Sequence, residues 1–180
     1  MGGHSGWRTK AELVEHLVSA PGSVVTVLDH SLVGRNLWTV CRLDQDYAGR
    51  PKDLVFLHLD RMSPPTKGLD DMSWGYQGTS EWDAPSEFDC PERLLAQSQV
   101  TTPAAVDWRA ACRAWLSNES QRRRAIASLK PGDPFMCNGH KVEFTRAPAG
   151  RRVRYIAGIG PDGREYRWPA KDVQPLSRVA

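Results

Sequence analysis

Apolar residues recur at helical spacing near the start of the chain. Leu13, Val14, Leu17 and Val18 in "RTKAELVEHLVSAPG" share one face. Thr9 and Glu12 have capping-box spacing: the hydroxyl accepts from a free backbone N–H while the carboxylate reaches back. Pro21-Gly22 stops this first helix. The pattern then shifts to β-branched residues. "SVVTVLDH", "NLWTVCRL" and "DLVFLHLDRM" predict three strands, with "SLVG" as the turn between the first two. The third is apolar through its centre, which suits a strand covered on both faces. Two more helices follow. In "DCPERLLAQ", Asp89 and Glu92 again have capping-box spacing and Pro91 sits in the first turn. In "TTPAAVDWRAACRAWLSNESQRRR", Thr102 is the expected N-cap, and Trp108, Cys112, Trp115 and Leu116 mark the buried face. Between strands and helices, "SWGYQGTSEWDAP" follows neither period and reads as a loop.

Beyond residue 128 the texture changes to short β-like runs separated by Pro131-Gly132-Asp133, Asn138-Gly139 and the Gly160–Gly163 loop. "VRYIAGI" and "REYRWP" are expected to pair across that loop. Four or five short strands in about fifty residues suggest a small barrel. The expected fold is α+β: helices packed on a small antiparallel sheet, followed by a small SH3-like β-barrel. The expected domains are an α+β body over residues 1–120, a basic linker or helix end over 121–128, and a small basic β-barrel module over 129–180.

Charge sharpens that division. Residues 1–120 hold 11 Lys and Arg against 16 Asp and Glu, net −5; residues 121–180 hold 13 against 5, net +8. An acidic body with a basic end suggests two parts with different partners. Hydrophobic residues make up 40% and charged residues 25%, a globular composition. No apolar run approaches the roughly 20 residues of a membrane span. "MGGHSGWRTKAELVEHL" lacks a basic start and apolar centre, so no signal peptide is expected and the cytoplasm of a bacterial host is the expected compartment. Cys41, Cys90, Cys112 and Cys137 form no C-x-x-C pair. Their spacing suggests neither a zinc site nor a disulfide framework, and neither metal nor cofactor is expected.

Two sets of residues could do chemistry or bind. Cys90, read as lying in the first turn of a helix, would feel the N-terminal dipole that favours thiolate. The adjacent Asp89 opposes that, and a small buried residue between helix and sheet fits the same pattern. His30, at a strand end beside a turn, is the better-placed base; His58, in an apolar strand, reads as a packed, hydrogen-bonded core residue. Glu81 sits among Trp74, Tyr76 and Trp82, either as a general base or cation-binding group or as a loop acid bonded to amides. His30, Glu81 and Cys90 are therefore the candidate catalytic residues, and Tyr76 and Trp82 candidate binding residues. In the basic region, Arg151, Arg152 and Arg154 lie in one predicted strand, and Arg164, Arg167 and Trp168 in the next. Alternation would put several guanidinium groups on one face with aromatics near enough to stack on bases, the footprint of nucleic-acid binding. A solvated arginine face, or one attracted to the acidic body, is the competing reading.

The chain also resembles a domain family of phages, plasmids and integrative conjugative elements. The resemblance rests on "RTKAELVEHL", on "HSLVGRNLWTV", on "WGYQGTSEWDAPSEFDCPERLL" where the family has Gly-Tyr-Lys-Asp-Met-Asp-Glu, a proline and a Cys-Pro pair, and on "DWRAACRAW". It spans roughly residues 6–116. The matching positions are Lys10, His30, Gly75, Tyr76, Glu81, Pro85, Cys90, Pro91, Trp108 and Arg109. Gln77, Gly78 and Ser80 replace the motif's charged Lys, Asp and Asp. The family has no established activity, so the resemblance implies a genomic setting rather than a reaction. The expected function is a non-enzymatic accessory protein of such an element. It would bind a host protein or nucleoprotein complex, as a host-defence inhibitor does, with the basic module contacting nucleic acid. A small enzyme using His30, Glu81 and Cys90 is the first alternative, and a structural or assembly protein the second.

Overall fold

The capping box forms as its spacing dictates. Glu12 N–H donates to Thr9 Oγ1 at 3.2 Å, and Thr9 N–H donates to Glu12 Oε2 at 3.2 Å, opening helix α1 (Lys10–Ser19). A computed structural model describes residues 7–19, 22, 24–66, 73–146 and 155–176. The chain divides into two compact units, Met1–Leu116 and Ser117–Ala180. Among the described residues no helix is long and apolar enough to cross a membrane.

In the first unit, strands β1 (Val25–Val33), β2 (Asn36–Leu43), β3 (Val55–Ser63) and β4 (Gly75–Ser80) form an antiparallel sheet in that order. β1 runs three residues past its predicted end at His30, into the predicted turn, and the chain reverses at Gly34-Arg35, where Gly34 takes φ +60°. Five consecutive residues of β2, Leu37–Cys41, are buried, because this inner strand is covered on both faces. On one face Trp38 and Val40 join Leu57, Leu59, Cys90 and residues of helices α2 (Glu92–Leu95) and α3 (Pro103–Ala127) in the main core. On the other, Leu37 and Met62 meet Leu13 and Leu17 of α1. Full burial of such side chains contributes about 1.5–3 kcal/mol each. In α3 the residues at 105, 108 and 112 form the buried stripe, whereas Trp115 is exposed.

The stretch predicted as a loop contains β4. Its glycines hide the period-two pattern, yet one is needed. A Cβ at Gly78 would stand 2.8 Å from His58 Nε2 and 3.1 Å from Asp60 Oδ1 of the neighbouring strand. After a single 3₁₀ turn at Glu81–Asp83, two indoles anchor the descent to α2: Trp38 Nε1–H donates to Asp89 Oδ1 at 2.9 Å, and Trp108 Nε1–H donates to the Glu87 carbonyl at 3.1 Å. Asp89 therefore does not cap α2; Pro91 occupies the cap position, without a side-chain cap bond.

The second unit corrects the expected barrel. Strands β5 (Pro134–Cys137), β6 (His140–Arg146), β7 (Tyr155–Ile159), β8 (Glu165–Pro169) and β9 (Val173–Pro175) form an antiparallel sheet in the order β8-β7-β6-β5-β9. The 3₁₀ turn Ala170–Asp172 joins β8 to β9, but these outer strands pair only inward, with β7 and β5, and no closed barrel is found among the described residues. Strand count and turn spacing suit an open sheet as well. Here Ile126, in the last turn of α3, and Leu129, just beyond it, cover Phe135, Val142, Phe144, Ile156 and Val173. A helix thus completes the core that closure would otherwise enclose. Asn138 and Gly139, at φ +49° and +78°, make the two-residue turn between β5 and β6. Of the segment 121–128, expected as a basic linker or helix end, residues 121–127 are the last part of α3.

Candidate functional site

Glu81 is built into the fold rather than offered to a ligand. Its side chain has 0% exposure. Oε1 accepts from Leu57 N–H at 2.8 Å and from Ser98 Oγ at 2.6 Å, and Oε2 accepts from Arg109 Nη1. Arg109 is in turn spent on Ser98 Oγ at 2.9 Å and the Val100 carbonyl at 2.6 Å. This closed network ties β3, the 3₁₀ turn, the 98–100 segment and α3 together. It uses two residues the family resemblance singled out, Glu81 and Arg109.

Cys90 is fully buried in the main core. Burial pushes its thiol well above the ordinary cysteine value, and Cys112, Asp89, Glu81 and Glu92 push it further. A one-turn helix beginning two residues later supplies no compensating field. The neutral thiol packs against Leu94 and Trp108 as an apolar group. His30 lies exposed on β1, its carbonyl accepting from Arg93 Nη2 at 2.6 Å. No hydrogen bond joins any two of His30, Glu81 and Cys90, so the arrangement lacks the nucleophile–base contact that covalent catalysis needs. Tyr76 packs beside Trp7 in the cluster under α1, with ring centroids 5.9 Å apart. Trp82 stacks on Phe56 at 4.7 Å beneath the Arg50 guanidinium, which lies 3.9 Å from its ring centre. Both aromatics are packing residues here.

One polar row was not expected. His30, Thr39, His58 and Ser80 stand opposite one another across all four strands of the first sheet. His58 Nε2 lies 3.3 Å from the buried Asp60 Oδ1, and the His58 side chain is 32% exposed. The signal was legible in "FLHLD": His58 and Asp60 are two apart in a strand, so they share a face. Ser80 Oγ instead donates to Asp83 Oδ2 at 3.0 Å.

In the second unit Arg151, Arg152 and Arg154 lie outside the described residues. Arg164 sits beyond the turn, its Nε 3.9 Å from Asp162 and its side chain 82% exposed. Arg167 and Trp168 are neighbours in β8 and so point to opposite faces. Trp168 turns towards Phe135 and the core. Arg167 turns to the solvent face, where it is opposite Ala157, which is opposite Arg146 of β6. Two arginines therefore flank one small, buried residue in a single cross-strand row. Tyr155 stands two residues along β7 on the same face, 52% exposed. Arg146 pairs with the half-exposed Glu165 at 3.3 Å, a contact worth little in water. The basic row with Tyr155 is the candidate interface. Arg146 was not singled out in the sequence because its strand had no assigned partner; strand alternation, with a partner known, would have placed it.

Among the described residues no cluster of three or more His, Cys, Asp or Glu groups could hold a metal ion. No family model, curated protein or solved structure matches the chain.

Proposed function

We propose that this chain is a non-enzymatic binding protein of the bacterial cytoplasm whose second unit contacts nucleic acid. One observation carries the reading: the Arg146–Ala157–Arg167 row with exposed Tyr155 on the solvent face of the second sheet. Exposed arginines on either side of the buried Ala157 suit phosphate contacts, and an exposed tyrosine beside them suits base stacking. The chain entering Tyr155 adds Arg151, Arg152 and Arg154 in sequence. Single-stranded nucleic acid is the favoured form, because its bases are free to stack.

The first unit is assigned a protein partner, and the mobile-element setting, with host-defence inhibition as its simplest role, comes from the motif resemblance. A binding role is supported by the buried Cys90 and the closed Glu81 network, which leave His30, Glu81 and Cys90 without a reactive arrangement.

Fluorescence anisotropy with a labelled single-stranded oligonucleotide and its duplex tests the nucleic-acid half. At about 50 mM salt the chain binds the single strand, and affinity falls steeply as salt is raised. Changing Arg151, Arg152 and Arg154 together to Ala weakens binding. Absence of binding to either form at low salt refutes this half. Capture from host lysate with and without nuclease tests the other half: a protein partner stays bound after nuclease treatment.

A further inference from the structure

The turn end of the second sheet holds a cleft of about 400 Å³, within the size range of small-ligand sites. Its walls are Asn138, His140, Pro161, Asp162, Tyr166 and Trp168, over the buried Cys137. Tyr166 and Trp168 share the inner face of β8, their ring centroids 5.7 Å apart and inclined by 40°, so they pack side by side as one aromatic wall of the cleft. The Trp168 end of this wall is fixed, because Trp168 also meets Phe135 edge-on at 5.8 Å. Tyr166 lies against Gly160, where a Cβ would stand 2.9 Å from its ring.

Charge decides what such a cleft would hold. In a unit otherwise rich in arginine, among the described residues no Lys or Arg lines the cleft, and its ionisable lining groups are Asp162, its one carboxylate, His140, Tyr166 and the buried Cys137. That carboxylate is held in place: Tyr166 Oη donates to Oδ2 at 2.7 Å and Arg164 N–H to Oδ1 at 3.2 Å. The hydrogen bond from Tyr166 also keeps it ionised, lowering its pKa from the ordinary aspartate value. Aromatic ring faces are electron-rich and attract cations, and an ionised carboxylate at the rim adds to the attraction. An unmodified ammonium would have to shed tightly held water to enter. A methylated one presents apolar surface to the rings and sheds less.

We infer that this cleft binds a methylated ammonium group, packed against the Tyr166 and Trp168 rings and neutralised by Asp162. The site is separate from the proposed nucleic-acid face, since Arg167 points to the opposite side of β8. Arg164, whose guanidinium is 3.9 Å from Asp162, competes weakly for the same carboxylate.

Calorimetry and NMR on the full chain, with choline and its neutral isostere 3,3-dimethyl-1-butanol as probes, test this. Choline is expected to bind saturably, to shift the Trp168 indole signal, and to bind at least about fivefold tighter than the neutral isostere. Asp162→Asn should abolish that preference, and Arg164→Ala should strengthen choline binding. Gly160→Ala, which displaces the Tyr166 ring, should weaken both probes; Tyr166→Leu, which removes one ring of the wall without crowding, should weaken choline more than the neutral probe. A trimethyl-lysine peptide as third probe identifies the source: tighter than choline for a modified protein side chain, equal or weaker for a free small molecule. Equal affinity for choline and the neutral isostere, or no saturation by choline through millimolar concentrations, overturns the assignment.

Discussion

At Glu81, removing one donor strands a buried charge. Arg109→Ala leaves the carboxylate with no exposure and without its cation, which should destabilise the protein by about 3–5 kcal/mol in urea denaturation. Pairing it with Glu81→Gln should recover much of that loss, because the stranded charge is then absent. The cysteines make a second residue-scale prediction. All four are buried, and burial raises the thiol of Cys41 from 9.0 to about 11 and that of Cys112 to about 12. Native protein should therefore react sluggishly with thiol reagents at pH 8, and unfolded protein fully. The sign for stability follows. The folded thiols keep their protons where unfolded ones lose them, so their contribution is complete below the unfolded value near 9.0 and is lost as pH rises towards 11 and 12. A melting temperature that rose through that range would contradict this. Residue chemistry was half legible in the sequence. Glu81 in an aromatic loop was visible as unusual, but its partners lie 17 to 28 positions away and only folding brings them together.

Local rules worked for elements whose signal is self-contained. The Thr9–Glu12 box and the Asn138-Gly139 turn depend on residues within four positions, and both form. β4 was missed because Gly75 and Gly78 interrupt its pattern for a reason held in β3: the His58 and Asp60 side chains need the space at Gly78. Asp89 was misassigned for the converse reason. Its spacing to Glu92 fits a cap, yet it bonds Asn36 Nδ2 at 3.0 Å and the buried Trp38 indole, more than fifty residues earlier. Asp89→Ala should cost about 1–3 kcal/mol by leaving the indole N–H without an acceptor. A double-mutant cycle with Trp38→Phe should show coupling between the two positions; additive losses would return Asp89 to a helix-capping role.

For the whole molecule, charge asymmetry along the chain was the most legible feature, and closure of the second sheet the least. Strand number is written in turn residues, whereas closure depends on whether β8 meets β9, and here Ile126 and Leu129 cover the sheet instead. The same topology decides which basic residues act together: it separates Arg167 from Trp168 and sets Arg167 in line with Arg146 across Ala157. The nucleic-acid reading stands on that row, and its most direct test is the salt dependence of single-strand affinity in three proteins. The original chain should show a linear fall of log affinity with log salt. Arg146→Ala with Arg167→Ala should make the slope shallower by about two contacts, and Tyr155→Ala should weaken binding with the slope unchanged. Identical slopes and affinities in all three would contradict the account.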